Sequence, residues 1–240
     1  MHPNESTAAT DSITSGVVQF VAAPFRRQTY KNLLYLALAF PLGLAYFVGL
    51  VVGGSVGGAL LITIVGLPIL LVTIAAATVA AGFEAKLATH LGGVDAQVPS
   101  FLREFDARDE LSMPGNGFVD AVKRLLTAPT TWTSVVLLLA KFVFGIAAFV
   151  ALVFCGAVSV VLLGAPFIYD DPNVEIGLVA DSTVGEYTIG PWLVDTLPEA
   201  LAVAGVGVVF VFVALNLLNL LALLHATYTA SILRVGNDPR

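Results

Sequence analysis

Charge is what this chain of 240 residues has least of: only 12% of it is Asp, Glu, Lys or Arg, about half the share of a typical soluble domain. Together with a hydrophobic content of 58%, that shortage excludes an ordinary soluble enzyme, because a water-soluble core of this size could not hide so many apolar side chains. A bilayer must be part of the solvent. Cysteine is scarcer still. Cys155 is the one copy and lies in an apolar run, so no intramolecular disulfide and no cysteine-based metal spacing is available. Lysine occurs four times and the net charge is −6, which excludes a nucleic-acid partner, since phosphate binding needs clustered Lys and Arg. The same acidity suits a chain from a high-salt cytoplasm.

Catalytic signatures are missing as well. There is no P-loop, no G-x-G-x-x-G, no H-E-x-x-H and no G-x-S-x-G, so no catalytic, cofactor or metal residue is expected. His2 lies in the N-terminal tail, while His90 and His225 follow two apolar runs. Interfacial anchoring suits the latter two better than metal ligation in a chain so poor in Cys and His.

What is present is apolar length. Four stretches reach the roughly 20 residues that a membrane-crossing helix requires: 33–52, 59–83, 135–163 and 200–224. The glycine-rich run Gly53-Gly54-Ser55-Val56-Gly57-Gly58 predicts a tight reversal between the first two. Of the 11 basic residues, all but Lys141 lie before span one, between spans two and three, or after span four, which predicts a cell-membrane protein with both termini cytoplasmic. Residues 1–16 are polar, without a signal peptide's apolar core, and predict a disordered tail. The short run Val17–Val21 predicts an interfacial segment.

The chain also repeats itself. Aligning Thr29-Tyr30 with Thr131-Trp132 superposes, without gaps, Phe40 on Phe142, Gly43 on Gly145, Phe47-Val48 on Phe149-Val150, Gly54 on Gly156, and Leu60-Leu61 on Leu162-Leu163. The fold class predicted is all-α integral membrane. Its four transmembrane helices form two hairpins, with repeat one over 24–92, a cytoplasmic linker over 93–128 and repeat two over 129–236. Because each copy starts on the basic side, the hairpins are expected to be parallel repeats about an axis along the membrane normal, packed into a bundle over 17–236.

Several motifs carry a family resemblance. Arg27-Gln28-Thr29-Tyr30-Lys31-Asn32-Leu33-Leu34-Tyr35-Leu36, Phe40-Pro41-Leu42-Gly43 and Gly66-Leu67-Pro68 stand in the first half. Ala128-Pro129-Thr130-Thr131-Trp132, Lys141-Phe142 with Gly145, and Asp195-Thr196-Leu197-Pro198-Glu199-Ala200-Leu201 stand in the second. Over residues 20–236 the chain resembles the "putative sensor" domain found at the N-terminus of many actinobacterial and haloarchaeal histidine kinases. That resemblance implies a non-catalytic membrane module in a two-component system. With only a few residues after span four, the chain is expected to be a free-standing version whose output passes to a separately encoded cytoplasmic signalling protein, such as a kinase or transcription regulator. Association of two copies is an open alternative. The rival class is a small transporter or channel subunit, favoured by proline-broken helices but opposed by the scarcity of charge in the spans; a structural membrane subunit is a third.

Candidate signal-coupling residues follow from cost. Lys141 is a charge within a span, where it must snorkel to the headgroups, pair inside the bundle or serve function. Asn216 and Asn219, three apart in span four, share a face and need amide partners. Pro41 and Pro68 each remove a backbone donor and predict hinges. The segment 169–197 predicts an extracytoplasmic loop without any base, and Asp170, Asp171, Glu186, Tyr187 and Trp192 are its candidate stimulus contacts. Solvation of an exposed loop and an aromatic belt are the plainer roles for these, and the acids lack the spacing of a calcium loop. Finally, 101–126 predicts two short amphipathic helices broken at Met113-Pro114-Gly115-Asn116-Gly117, a docking face for a soluble partner.

Overall fold

A computed structural model describes residues 20–63, 65–99, 102, 123, 125–170, 177–179, 182–184, 187–189 and 192–237. Four long helices dominate: α1 (Arg27–Ala59), α2 (Gly66–His90), α3 (Pro129–Ile168) and α4 (Leu197–Asn237). All four are long and apolar enough to cross a membrane. At about 1.5 Å per residue, α3 and α4 run to about 60 Å, twice the hydrocarbon thickness of a bilayer. The candidate docking helices over 101–126 and the tail 1–16 lie, apart from a few positions, outside the described residues, as do Asp171 and Glu186.

The chain divides into two compact units. One holds Val153–Leu217 together with the chain up to Phe25, and the other holds Arg26–Leu152 with Leu218–Arg240. In the first unit, Ala165, Val194, Ala200 and Val203 form a small core against Leu162 and Tyr169. Its loop carries two antiparallel ribbons, β1 (Gly177–Val179) with β4 (Trp192–Leu193) and β2 (Ser182–Val184) with β3 (Tyr187–Ile189), short strands that the helical expectation did not include. The start of α4 is capped within the chain: Glu199 Oε2 accepts hydrogen bonds from the backbone N–H groups of Asp195 and Thr196, each at 3.3 Å, the reciprocal half of a capping box. Phe20 stacks on Phe212 at 6.4 Å in this unit.

In the second unit the repeat becomes visible as packing. A Cβ on Gly43 would lie 2.7 Å from the Lys141 carbonyl oxygen and 2.9 Å from Phe142 Cα, while one on Gly145 would lie 2.6 Å from the Ala39 oxygen and 2.9 Å from Phe40 Cα. The same offset relates two ring pairs flanking this crossing, Phe47 on Phe142 at 4.4 Å and Phe40 on Phe149 at 4.7 Å. Thr29, Tyr35, Leu36 and Ala39 are buried on α1, as are their counterparts Thr131, Leu137, Leu138 and Lys141 on α3. A second correspondence links the partner helices: Ala77, Ala81, Glu84, Ala85 and Ala88 of α2 match Leu218, Ala222, His225, Ala226 and Thr229 of α4, all buried. The two helical hairpins are therefore quasi-equivalent about a pseudo-twofold axis.

The direction of that axis differs from the expectation. Leu50, Val51 and Gly54 near the end of α1 line one cleft with Trp132 and Val135 at the start of α3, and Asn219 of α4 hydrogen-bonds Thr29 at the start of α1. In a parallel pair the backbones at Gly54 and Trp132 would be about 35 Å apart. Hence α1 and α3 run antiparallel in this unit, α1 and α4 run in the same direction, and the axis lies across the helices. Arg26, Arg27 and Lys31 then sit at one end of the unit. Arg234 sits at the other, beside Gly236, which packs on Thr130 and Thr133. Basic residues thus stand at both ends of this unit, because they mark loops one at a time and carry no information about helix pairing.

Two local expectations also change. The run 53–58 does not turn; it continues α1 to Ala59, and its glycines admit the neighbouring helix instead, Gly53 against Thr73 and Gly57 against Leu70. The reversal falls on the 3-10 turn Leu60–Ile62 and on Gly66, where any Cβ would collide with the Leu60 backbone. Pro68 is the third residue of α2, in the first turn where backbone N–H groups lack helical partners anyway, so it starts the helix without hinging it. Pro41 does lie inside α1, leaving the Ala37 carbonyl without its usual donor.

Gly43→Ala and Gly145→Ala should each lower stability by about 1–3 kcal/mol, in near-equal measure, because both force apart the same backbone crossing; thermal unfolding in detergent or nanodiscs measures this. In a Cys155→Ala chain, Arg26→Cys and Arg234→Cys should react with a membrane-impermeant maleimide from opposite faces of the membrane. Reaction from one face would restore the parallel arrangement.

Candidate functional site

The four helices converge on four side chains that differ in character from everything around them. Glu84 on α2, Lys141 on α3, Tyr35 on α1 and His225 on α4 are all at most 2% exposed. Lys141 Nζ donates to Glu84 Oε2 at 2.5 Å, and the same ammonium lies 4.6 Å from the centre of the Tyr35 ring. Tyr35 in turn packs on the His225 ring at 5.1 Å. His225 stacks on Phe144 at 5.2 Å, which meets Tyr228 at 4.9 Å.

Local sequence explains why each residue arrives there. Glu84 shares the face of α2 marked by Ala77, Ala81 and Ala88, small residues at helical spacing that let neighbouring helices come close. Lys141 occupies the position in repeat two that Ala39 holds in repeat one, and the Gly43 crossing brings its backbone against α1. His225 stands where Glu84 stands in the other hairpin. The two quasi-equivalent positions thus hold different chemistry: an ion pair at one, an imidazole between aromatic rings at the other.

An isolated charge in such a medium is expensive, and removing either partner of a buried pair leaves the other uncompensated. The pair is nonetheless under-supplied with hydrogen bonds. Among the described residues, Glu84 Oε1, His225 Nδ1 and the Tyr35 hydroxyl meet no partner with hydrogen-bond geometry, although the Tyr35 hydroxyl faces Thr229 and the Tyr46 phenol faces Glu84. Lys141 therefore neither snorkels nor anchors; it pairs within the bundle.

A second polar set ties three segments together. Asn219 Nδ2 donates to Thr29 Oγ1 at 3.0 Å, and Asn219 Oδ1 accepts from Asn32 Nδ2 at 2.8 Å. Gln28 Nε2 then donates to Asn32 Oδ1 at 2.8 Å and to the Leu91 carbonyl at 2.7 Å. Asn216 takes separate partners, the carbonyls of Phe212 at 2.8 Å and Phe20 at 3.1 Å. The two asparagines thus serve different units despite sharing a face. Of the loop candidates, Asp170 is exposed at the end of α3. Tyr187 and Trp192 begin β3 and β4, and Asp171 and Glu186 fall outside the described residues. His90 Nδ1 bonds the Lys86 carbonyl of its own helix at 2.9 Å, and the described residues hold no group of three potential metal ligands.

A family model described as "Putative sensor" matches residues 35–233. The chain belongs to this family. The match spans Tyr35, Glu84, Lys141 and His225, together with Asn219, so the convergence site of this sensor-family chain lies wholly within it. No curated protein and no solved structure matches the chain. Family membership and four membrane-length helices make it a membrane protein.

Glu84, Tyr35 and His225 were not singled out in the sequence as partners of Lys141. Glu84 stands one residue beyond the apolar run that defines span two, so it reads as a flanking acid. The signal that points inward is its position on the alanine face.

Glu84→Gln and Lys141→Met alone should each destabilise the chain by about 3–5 kcal/mol, whereas the double variant, with no charge left to compensate, should recover most of that loss. Thermal unfolding of the four chains completes the cycle, and simple additivity would contradict a coupled pair. Asn219→Leu should cost only about 1 kcal/mol.

Proposed function

We propose that this protein is a non-catalytic sensor module of the cell membrane, relaying a stimulus to a separately encoded cytoplasmic partner, a kinase of a two-component system or a transcription regulator. The observation that carries this reading is the buried Lys141–Glu84 pair at the meeting point of four helices. A stimulus that separates α2 from α3 must break the pair and strand both charges, so intermediate spacings are disfavoured and the helices switch between discrete arrangements. Membership of the sensor family over residues 35–233 agrees with such a role, and the sequence contains no catalytic motif.

The end of the unit that holds Arg26, Arg27, Lys31 and Lys86 would face the cytoplasm, by the excess of basic residues there. The Gln28–Asn32–Asn219 network lies at that end and joins α1, α4 and the residue following α2. A change in helix spacing at Glu84 and Lys141 would reach a cytoplasmic partner through it.

Photocrosslinking of the intact protein in its native membrane should recover a histidine kinase or a transcription regulator. In the same membrane, Asn219→Leu should uncouple that partner's output from the stimulus while the chain still folds. Recovery of no such regulator, together with solute flux through the purified protein in liposomes, would overturn the proposal.

A further inference from the structure

The start of α1 and the end of α2 meet at one end of the second unit. Gln28 Nε2 donates to the Leu91 carbonyl at 2.7 Å, and Gly93, at a φ of 69° that favours glycine, lies against the same Gln28 side chain. This clamp brings the basic residues of both helices to one place. On α1, Arg27, Tyr30, Lys31 and Leu34 recur at helical spacing, and all four are exposed. On α2, His90, Lys86, Phe83 and Val79 do the same in the opposite chain direction. Each face is therefore graded, with basic side chains at the helix end and aromatic or aliphatic ones a turn or two further into the span.

These cations have no counterion within the fold. Among the described residues the one ion pair is Lys141–Glu84, so Arg26, Arg27, Lys31 and Lys86 are not paired with a carboxylate there. The first turn of α1 holds no acid to offset cations that oppose the helix dipole. Asp95, exposed just beyond α2, can offset one charge.

An uncompensated basic end calls for an anion, and the grading selects its kind. A soluble acidic protein would meet the cations but leave the apolar side chains beneath them unmatched, whereas a phospholipid matches both. Both helices are of membrane length, which puts their shared basic end at the depth of the headgroups.

We propose that this end of the first hairpin is a binding site for an anionic phospholipid, its phosphate held by Arg27 and Lys31 of α1 and Lys86 of α2, its acyl chains lying on Leu34 and Phe83. A zwitterionic headgroup carries its own cation and binds more weakly for that reason. The site depends neither on the sensor reading above nor on which face of the membrane it meets.

The test uses the full chain in phosphatidylcholine nanodiscs carrying a trace of photolabelling lipid, either phosphatidylglycerol or phosphatidylcholine, with the same diazirine in the acyl chain close to the headgroup. Mass spectrometry should map phosphatidylglycerol adducts around Leu34 and Phe83, with the phosphatidylcholine probe labelling them about tenfold less, the order expected of two or three screened Lys or Arg contacts. In about 1 M salt the preference should vanish. The triple variant Arg27→Gln, Lys31→Gln, Lys86→Gln should abolish it, and Arg27→Lys with Lys86→Arg should retain it. Both variants should keep the parent's unfolding temperature in pure phosphatidylcholine, because the replaced side chains are exposed and unpaired. Arg234→Gln, at the other end of the unit, should leave the preference intact. Equal labelling of the parent chain by the two probes would overturn the proposal, as would a preference that survives the triple variant. Loss of the preference in Arg234→Gln would trace it to net charge and overturn the site. Protection of Lys31 and Lys86 from acylation by an acidic soluble protein, with no lipid preference in nanodiscs, would assign the surface to that protein instead.

Discussion

Everything in the second unit is arranged around one constraint: a full positive and a full negative charge are held together where the surroundings are hydrocarbon. The Lys141–Glu84 pair can exist there only if two helices from different hairpins approach closely, and the rest of the packing serves that approach. Gly43 and Gly145 let the backbones of α1 and α3 touch, which carries Lys141 inward. The alanine face of α2 brings Glu84 to meet it. Tyr35 then covers the ammonium with its ring face, a cation–π contact that strengthens as water is excluded.

The pseudo-symmetry sharpens the meaning of this site. Two hairpins with matching buried positions could hold matching chemistry, yet Glu84 corresponds to His225 and Lys141 to Ala39. One half of the twofold arrangement is ionic and the other aromatic, with His225 sandwiched between Tyr35 and Phe144. A structural scaffold gains nothing from charge at this depth, since well-packed apolar residues serve stability equally well or better. The asymmetry sets the ion pair on one side of the axis and the imidazole with its aromatic neighbours on the other.

Much of this architecture was legible beforehand. Apolar run length marked four helices, and the gap-free match of Phe40, Gly43 and Phe47 with Phe142, Gly145 and Phe149 marked the residues that meet at the crossing. Other features were not legible because local chemistry pointed elsewhere. The glycines at 53–58 have the composition of a turn, but their purpose is contact with Thr73 and Leu70. Pro68 has the sequence signature of a hinge because the apolar run begins at residue 59, seven residues ahead of the helix itself. Asn216 and Asn219 share a face, yet that face passes from one unit into the other, so their partners are unrelated.

By itself the sequence determined the solvent, the number of helices, the internal repeat and the family, because each depends on side-chain hydrophobicity or on the order of residues along the chain. Only the tertiary structure decided which way the hairpins face each other and which residue neutralises Lys141. A repeat specifies that two segments are alike, and a twofold axis along the helices satisfies that likeness as well as one across them. The choice between them is made by contacts between residues far apart in the chain, such as Phe47 with Phe142, Phe40 with Phe149 and Thr29 with Asn219, and no local pattern encodes such contacts.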